Sequence, residues 1–319
     1  MNNQSPFITI IILIIIIIFN TINHIHANNN NNNNNDQIIN AMNIKWGKVP
    51  GGEFYIGTNK PEIPLDDESP ERKATVEPFE MMIYEASNEN YWAFANATGY
   101  VSDSEQFKWS FVFENMLPAR IKDEITQSAA AAPWWLPVPD ATWRAPEGEG
   151  SNILKRLNHP VVHVSWNDAQ EFCKFIGGRL PTEIEWERAA RGGKRGRMYP
   201  WGNKLMPRGK HRCNIWHGDF PKKNTEDDGY MWSAPIDAFG PQNKYGFYNI
   251  VGNVWEWVED DWIPNHGKKQ QGMTYDKCKK GGSYMCHKSY CFRYRVAARS
   301  HNSADSAASN LGFRCARDL

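Results

Sequence analysis

The sequence carries no excess of charge: 36 Lys and Arg balance 36 Asp and Glu, for a formal net charge of zero. That argues against a nucleic-acid protein, which needs a basic surplus to recruit phosphate. It also lacks an apolar run of the roughly 20 residues that a helix needs to cross a bilayer. The apolar run Phe7 to Phe19 has only 13 residues. No P-loop, GxSxG, HExxH or dinucleotide fingerprint stands in a usable context. The glycine pairs Gly192-Gly193 and Gly281-Gly282 do not open helices in the way phosphate binding requires. No fixed-period repeat and no Pro/Ser/Gly linker divides the chain, so one domain is expected.

What is present suits a secreted, loop-rich protein. The 319 residues are 41% hydrophobic, ample for a core, and include 14 Trp, 24 Gly and 19 Pro. Many turns around large aromatic anchors predict an α+β fold with little regular secondary structure. Phe7 to Phe19 has the length of a signal-peptide core, and Ala27 offers a small residue for cleavage. The start, MNNQSP, has no Lys or Arg, so a signal anchor is the competing reading. Residues 1–27 are therefore expected to be a signal peptide, leaving no membrane span in the mature form. The Asn tract has no side chains with which to bury surface, so residues 28–43 are expected to be disordered and 44–319 to form the domain. The six cysteines form an even set, as disulfides in an oxidising compartment require. Asn96-Ala97-Thr98 is a glycosylation sequon.

Three helix starts are readable. Ser87-Asn88 can cap a segment carrying Tyr91, Phe94 and Ala95 that stops before Gly99. Ser165 with Asp168, and Thr182 with Glu185, have the spacing of capping boxes, each followed by apolar residues at helical intervals and then by paired glycines. The stretch Ser102 to Gly150 is poorly periodic and reads as a long loop, the kind that is functional or well anchored.

Chemistry could sit in three places. Cys286 and Cys291 can form a small structural disulfide, the commoner outcome in a secreted chain, or act as a soft pair suited to Cu(I). Zinc with His287 as third ligand is disfavoured, because adjacent ligands lack the usual spacing and no second cluster completes the set. Asn249, the Gly252 turn and Glu256 offer oxygen donors of the kind Ca²⁺ takes, although a buried turn with a capping Asn is the commoner source of such a pattern. Asn214-Ile215 with Asp227-Asp228-Gly229-Tyr230 is a similar set without EF-hand spacing. The lone histidines and the Trp134-Trp135 pair are equally at home in a core or on a surface.

Together the stretches GGRLPTEIEWERAARGG, YGFYNIVGNVWEWVEDDW and KKGGSYMCHKSYCFRYRVAARSHNSADSAASNLGFRCA resemble the formylglycine-generating enzyme family, also called sulfatase-modifying factor 1. The similarity covers about residues 46–317. GRLPTEIEWE and NxWEW occur across a broad superfamily distantly related to C-type lectins, whereas GGSYMCHKSYC is specific to the catalytic branch. The resemblance implies an oxidase of the endoplasmic reticulum lumen that converts the cysteine of a Cys-x-Pro-x-Arg motif in unfolded sulfatases to Cα-formylglycine, using O2 and a thiol reductant. It implies that Cys286 and Cys291 hold Cu(I), that Ser283 and His287 line the oxygen and substrate pocket, and that Trp134 and Asn310 lie near the client peptide. It implies two structural Ca²⁺ ions, one on Asn214, Ile215, Asp228 and Tyr230, the other on Asn249, Gly252, Val254 and Glu256. Asn96 matches the family's glycosylation position.

Cys173 and Cys315 match one disulfide of the vertebrate members. Their second pair falls on Ala190 and Val296, so that bridge is absent as a unit, and a replacement bridge between Cys213 and Cys278 is suggested. The chain ends Ala-Arg-Asp-Leu, not a KDEL-type signal, so lumenal residence is expected to need a partner, with part of the protein secreted. Two other readings compete. One is a non-catalytic sulfatase-binding paralogue, but the inactive members lack the cysteine pair that this chain retains. The other is a non-haem iron sulfoxide synthase, whose histidine-rich helical domain is not found here.

Overall fold

Ser87, Ser102, Ser165 and Thr182 each accept a backbone N–H from the first turn of the segment that follows, and a helix begins at each. At the last three, the acidic side chain at the third helical position returns a bond to the cap backbone, closing the capping box. The computed structural model describes residues 34–319. The expected signal segment, residues 1–27, lies outside them. Residues 34–41 form a helix, α1, where the Asn-rich composition predicts disorder. The reason is local: the tract gives way to Ile38, Ile39 and Ala41, and the Met42 N–H donates to the Ile38 carbonyl at 3.0 Å.

Lys45–Leu319 is a separate compact unit. In chain order it contains β1 (Trp46–Val49), β2 (Gly52–Ile56), β3 (Arg72–Val76), β4 (Phe79–Met82), α2 (Asn88–Thr98), α3 (Asp103–Phe107), β5 (Trp109–Phe113), α4 (Ala119–Glu124) and β6 (Trp135–Pro139). There follow α5 (Trp166–Phe175), α6 (Glu183–Arg191), β7 (Gly218–Asp219), β8 (Lys223–Asn224), β9 (Trp255–Asp261), β10 (Lys277–Lys280), β11 (Arg299–Asn302), β12 (Leu311–Phe313) and β13 (Ala316–Asp318). This is the α+β architecture the composition predicts. The expected loop from Ser102 to Gly150 instead holds two short helices and the β5–β6 hairpin, paired from Trp109↔Pro139 to Phe113↔Trp135. Its β5, Trp-Ser-Phe-Val-Phe, is aromatic and β-branched enough to form a strand without strict alternation.

Two sheets organise the unit. One runs β1-β4-β13, so that both ends of the unit pair with the same central strand. The other runs β11-β10-β9-β12, with β12 parallel to β9 and the remaining pairs antiparallel. Between the elements lie fully buried indoles, and most of them find a partner for the ring N–H: Trp186 donates to Glu256 at 2.7 Å and Trp257 to the Val164 carbonyl at 3.1 Å.

A disulfide joins Cys173 on α5 to Cys315 before β13, with Cα atoms 5.5 Å apart. The suggested Cys213–Cys278 bridge is absent: both cysteines are free and buried. Each is held by different neighbours, Cys213 against the Gly252 turn and Cys278 on β10, where the Arg299 guanidinium approaches its sulfur at 3.8 Å.

Candidate functional site

After β10 the chain turns sharply at Gly281 and Gly282, both at positive φ (92° and 71°). A side chain on Gly282 would put its Cβ 2.8 Å from the Tyr294 nitrogen, so only glycine lets the outgoing loop lie against its own return. Within the loop the Cys286 N–H donates to the Ser283 carbonyl at 2.9 Å, and the Cys291 N–H to the His287 carbonyl at 2.8 Å. These two turns bring Cys286 and Cys291 together, with Cα atoms 4.6 Å apart and their sulfurs joined.

The pair forms part of the wall of a cavity of about 270 Å³, which Ser283 and Asn310 also line. The Asn310 side-chain amide donates to the Ser283 hydroxyl oxygen at 2.8 Å, and the Met285 N–H approaches the same oxygen at 3.3 Å. With its oxygen accepting, the Ser283 O–H remains available to donate. Asn310 precedes β12, so the parallel β12–β9 pair positions it opposite the cysteine loop.

Two of the expected site residues adjoin the cavity without lining it. His287 does not line the cavity: its Nδ1 bonds the Ser289 hydroxyl at 2.7 Å, and burial, then His217, lower its pKa. Its contribution to the cysteine loop is its carbonyl. Trp134 packs edge-on against Tyr290 (4.7 Å) and Phe220 (5.2 Å), while Trp135 lines the cavity. Neighbours at the start of a strand point to opposite faces, which separates the two indoles. The cavity also takes Trp255, Lys279 and Arg293, which the sequence reading did not single out. Trp255 could have been found from the NxWEW motif; nothing in the sequence marks the other two.

The two oxygen-donor sets differ. Asp228 accepts from the Ile215 N–H at 2.9 Å and the Tyr230 N–H at 3.1 Å, tying those backbones together, and Asn214 has a buried side-chain oxygen with no hydrogen-bond partner. Asn249, three residues before Gly252, likewise has a buried oxygen without a partner. Glu256, however, accepts from Arg314 at 2.6 and 2.8 Å and from Trp186 at 2.7 Å, so its charge is already matched. The carboxylate bonded to Asn249 is Glu85, at 3.2 Å, which the sequence reading missed because 164 residues separate the two. Burial pushes the Glu85 carboxyl up to about 8, against the pull of Arg314. Among the described residues no group of three or more His, Cys, Asp and Glu is placed to hold a metal. Any hard cation here would therefore draw mainly on amide and carbonyl oxygens, with at most a carboxylate or two among its ligands. Asn96 is exposed in the last turn of α2.

These features define a class: an α+β domain of short elements that presents a cysteine pair on a cavity wall through a glycine-turned loop. The chain belongs to the sulfatase-modifying factor family, since residues 40–319 match the Sulfatase-modifying factor enzyme 1-like domain. It is 57% identical over 276 residues to the formylglycine-generating enzyme of Mus musculus, covering 85% of this chain and 74% of that protein. It is 44% identical over 280 residues to the inactive C-alpha-formylglycine-generating enzyme 2 of Bos taurus, covering 87% and 89%. Among solved structures, PvdO from Pseudomonas aeruginosa shares the fold, with a TM-score of 0.58 at 22% identity, over 86% of this chain and 94% of that one. Among the described residues no helix is long and apolar enough to cross a membrane.

Proposed function

We propose that the protein is an oxidase that activates sulfatases, converting the cysteine of a Cys-x-Pro-x-Arg motif in the newly made polypeptide to Cα-formylglycine within the endoplasmic reticulum lumen. The observation that carries this reading is the meeting of Cys286 and Cys291 at a cavity that also holds Ser283 and Asn310. The net change takes the client –CH2–SH, O2 and two thiols to –CHO, hydrogen sulfide, water and one disulfide.

Reduction of the pair would release two soft sulfur donors already facing each other, a set that fits Cu(I) and leaves room for a third thiolate. When bound there, Cu(I) supplies the one-electron chemistry through which O2 is reduced. The protein's own part is to bind and orient. Cys286 and Cys291 hold the metal, Ser283 aims a hydroxyl fixed by Asn310 into the cavity, and Trp135 and Trp255 keep water from the wall against which an extended peptide would lie. For structural Ca²⁺ the unpartnered oxygens of Asn214 and Asn249 fit; Ile215, Asp228 and Tyr230 would complete the first set and Gly252 and Val254 the second. Glu256 would have to share its carboxylate with Arg314. Chelation is then expected to lower the melting temperature, and Asn214→Ala to remove part of that effect.

The competing reading is a non-catalytic sulfatase-binding member. Retention of both cysteines and the greater identity to the mouse enzyme favour catalysis. The test is to incubate the protein with Cu(I), O2, a thiol and a Cys-x-Pro-x-Arg peptide and to look for the aldehyde by mass spectrometry. Peptide bound without aldehyde, with copper loaded, would favour the binding reading.

A further inference from the structure

We propose that Lys279 takes the proton from the client thiol in the cavity and returns it to the sulfur that leaves. The inference rests on the oxidase reading. A third thiolate must enter, yet an ordinary thiol has a pKa of about 8.5, so only a few per cent is ionised at pH 7. Some group in the cavity has to accept the proton.

The lining narrows the choice. Among the described residues that line the cavity there is no Asp, Glu or His. Besides the two cysteines, the side chains there that could exchange a proton are those of Ser283, Ser300, Ser306, Tyr290, Arg293 and Lys279. Arginine does not release its proton in proteins. Burial raises the Tyr290 pKa, so it stays protonated, and a serine hydroxyl is no base at neutral pH. That leaves the lysine.

Its setting suits the task. Lys279 lies on β10 opposite Trp257 of β9, with its ammonium 5.0 Å from the centre of the Trp255 ring and donating to the Asn302 side-chain oxygen on β11. Its neighbours on the strand are neutralised: Lys277 by Asp261 at 2.7 Å, Lys280 by Glu183 at 3.3 Å and Glu187 at 3.2 Å. No carboxylate within ion-pair distance does this for Lys279 among the described residues. The charged groups that act on it are Arg293, itself bonded to Asp66 at 2.9 Å, and Asp276, which pairs with His301 at 2.7 Å. Burial first, then Arg293, push the ammonium down to about 7, and Asp276 opposes them. The amine is thus largely neutral above that pH. The client S–H bond breaks as an N–H bond forms on Nζ. Later, when the client C–S bond breaks, the same proton passes to the departing sulfide.

Lys279→Arg keeps length and charge but cannot give up a proton. With copper and O2 present, its kcat/KM for aldehyde formation at pH 7 should fall by roughly 10- to 30-fold, the factor set by the few per cent of thiol already ionised. The deficit should shrink towards pH 9, where the free peptide thiol ionises unaided, while KM and Cu(I) affinity stay unchanged. A second readout needs neither turnover nor a variant. Brief reductive methylation of the unmodified protein at graded pH, followed by peptide mapping, should give Lys279 a reactivity midpoint near 7. Lys279→Arg with the wild-type pH profile, or a midpoint near the usual lysine value of about 10, overturns this role alone. Failure of the unmodified, copper-loaded protein to make aldehyde overturns the oxidase reading and this role with it.

Discussion

Cys286 and Cys291 differ from Cys213 and Cys278 in surroundings, not in kind. Burial pushes the Cys278 thiol up to about 12, with Glu183 adding to the rise and Arg299 opposing it, and burial raises Cys213 as well. A protonated thiol is a poor nucleophile. Mild reduction followed by iodoacetamide at pH 8 should therefore label Cys286 and Cys291 in the native protein. Cys213 and Cys278 should react only in denaturant; native labelling of Cys278 would contradict its assigned burial. At this scale the sequence marks what motifs mark: the cysteine pair, Ser283 and Asn310, all four of which the structure brings to one cavity. It is silent on Lys279 and Glu85. The setting of such a titratable group is decided by partners on other elements, Asn302 for the one and Asn249 and Asn253 for the other, and no local pattern encodes such meetings.

Helix α6 ties the site's sheet to the rest of the unit. Its first residue, Glu183, accepts from Lys280 of β10 and from Arg299 of β11, at 3.3 and 2.5 Å. Burial alone would raise this carboxyl; Lys280 and Arg299 reverse that and hold it at about 2. A depressed carboxylate contributes stability that is full above its unfolded pKa and lost as pH falls through the folded value. The window is therefore about pH 4.5 down to 2, worth on the order of 3 kcal/mol. Urea midpoints for Glu183→Gln should lose that part of the acid dependence. An unchanged slope would show that the ion network does not act as drawn. Helices α2, α5 and α6 were legible because caps and apolar spacing are local signals. The β5–β6 hairpin was not, since its strands are defined by each other across the intervening α4 and by the packing of Val112 and Leu136 in a shared cluster.

For the molecule as a whole, closure at its ends matters most. β1 and β13 flank β4, and the Cys173–Cys315 bridge closes a span of 142 residues. By the chain-entropy argument a loop of that length contributes about 5 kcal/mol. Replacing both cysteines by serine should lower the unfolding free energy by several kcal/mol while Cys286 and Cys291, on a separate loop, keep the Cu(I) binding proposed for them. Equal stability would mean that the sheet alone secures the ends. Composition was enough to predict α+β with sparse regular structure, because the many Gly and Pro residues limit element length wherever they fall. The pairing of β13 with β4 was not legible, its partners running from Ala316↔Met81 to Asp318↔Phe79, some 235 or more residues apart.

What remains decisive is whether the two sulfurs of the Ser283–Cys291 loop make a single site for a soft cation. Under anaerobic, reducing conditions the protein can be titrated with Cu(I) against a chromophoric chelator of known affinity. One tightly held ion per chain is expected for the unmodified protein, and Cys286→Ser or Cys291→Ser should each lose it. Retention at full affinity by either single variant, or no binding by the unmodified protein, would contradict the two-sulfur site.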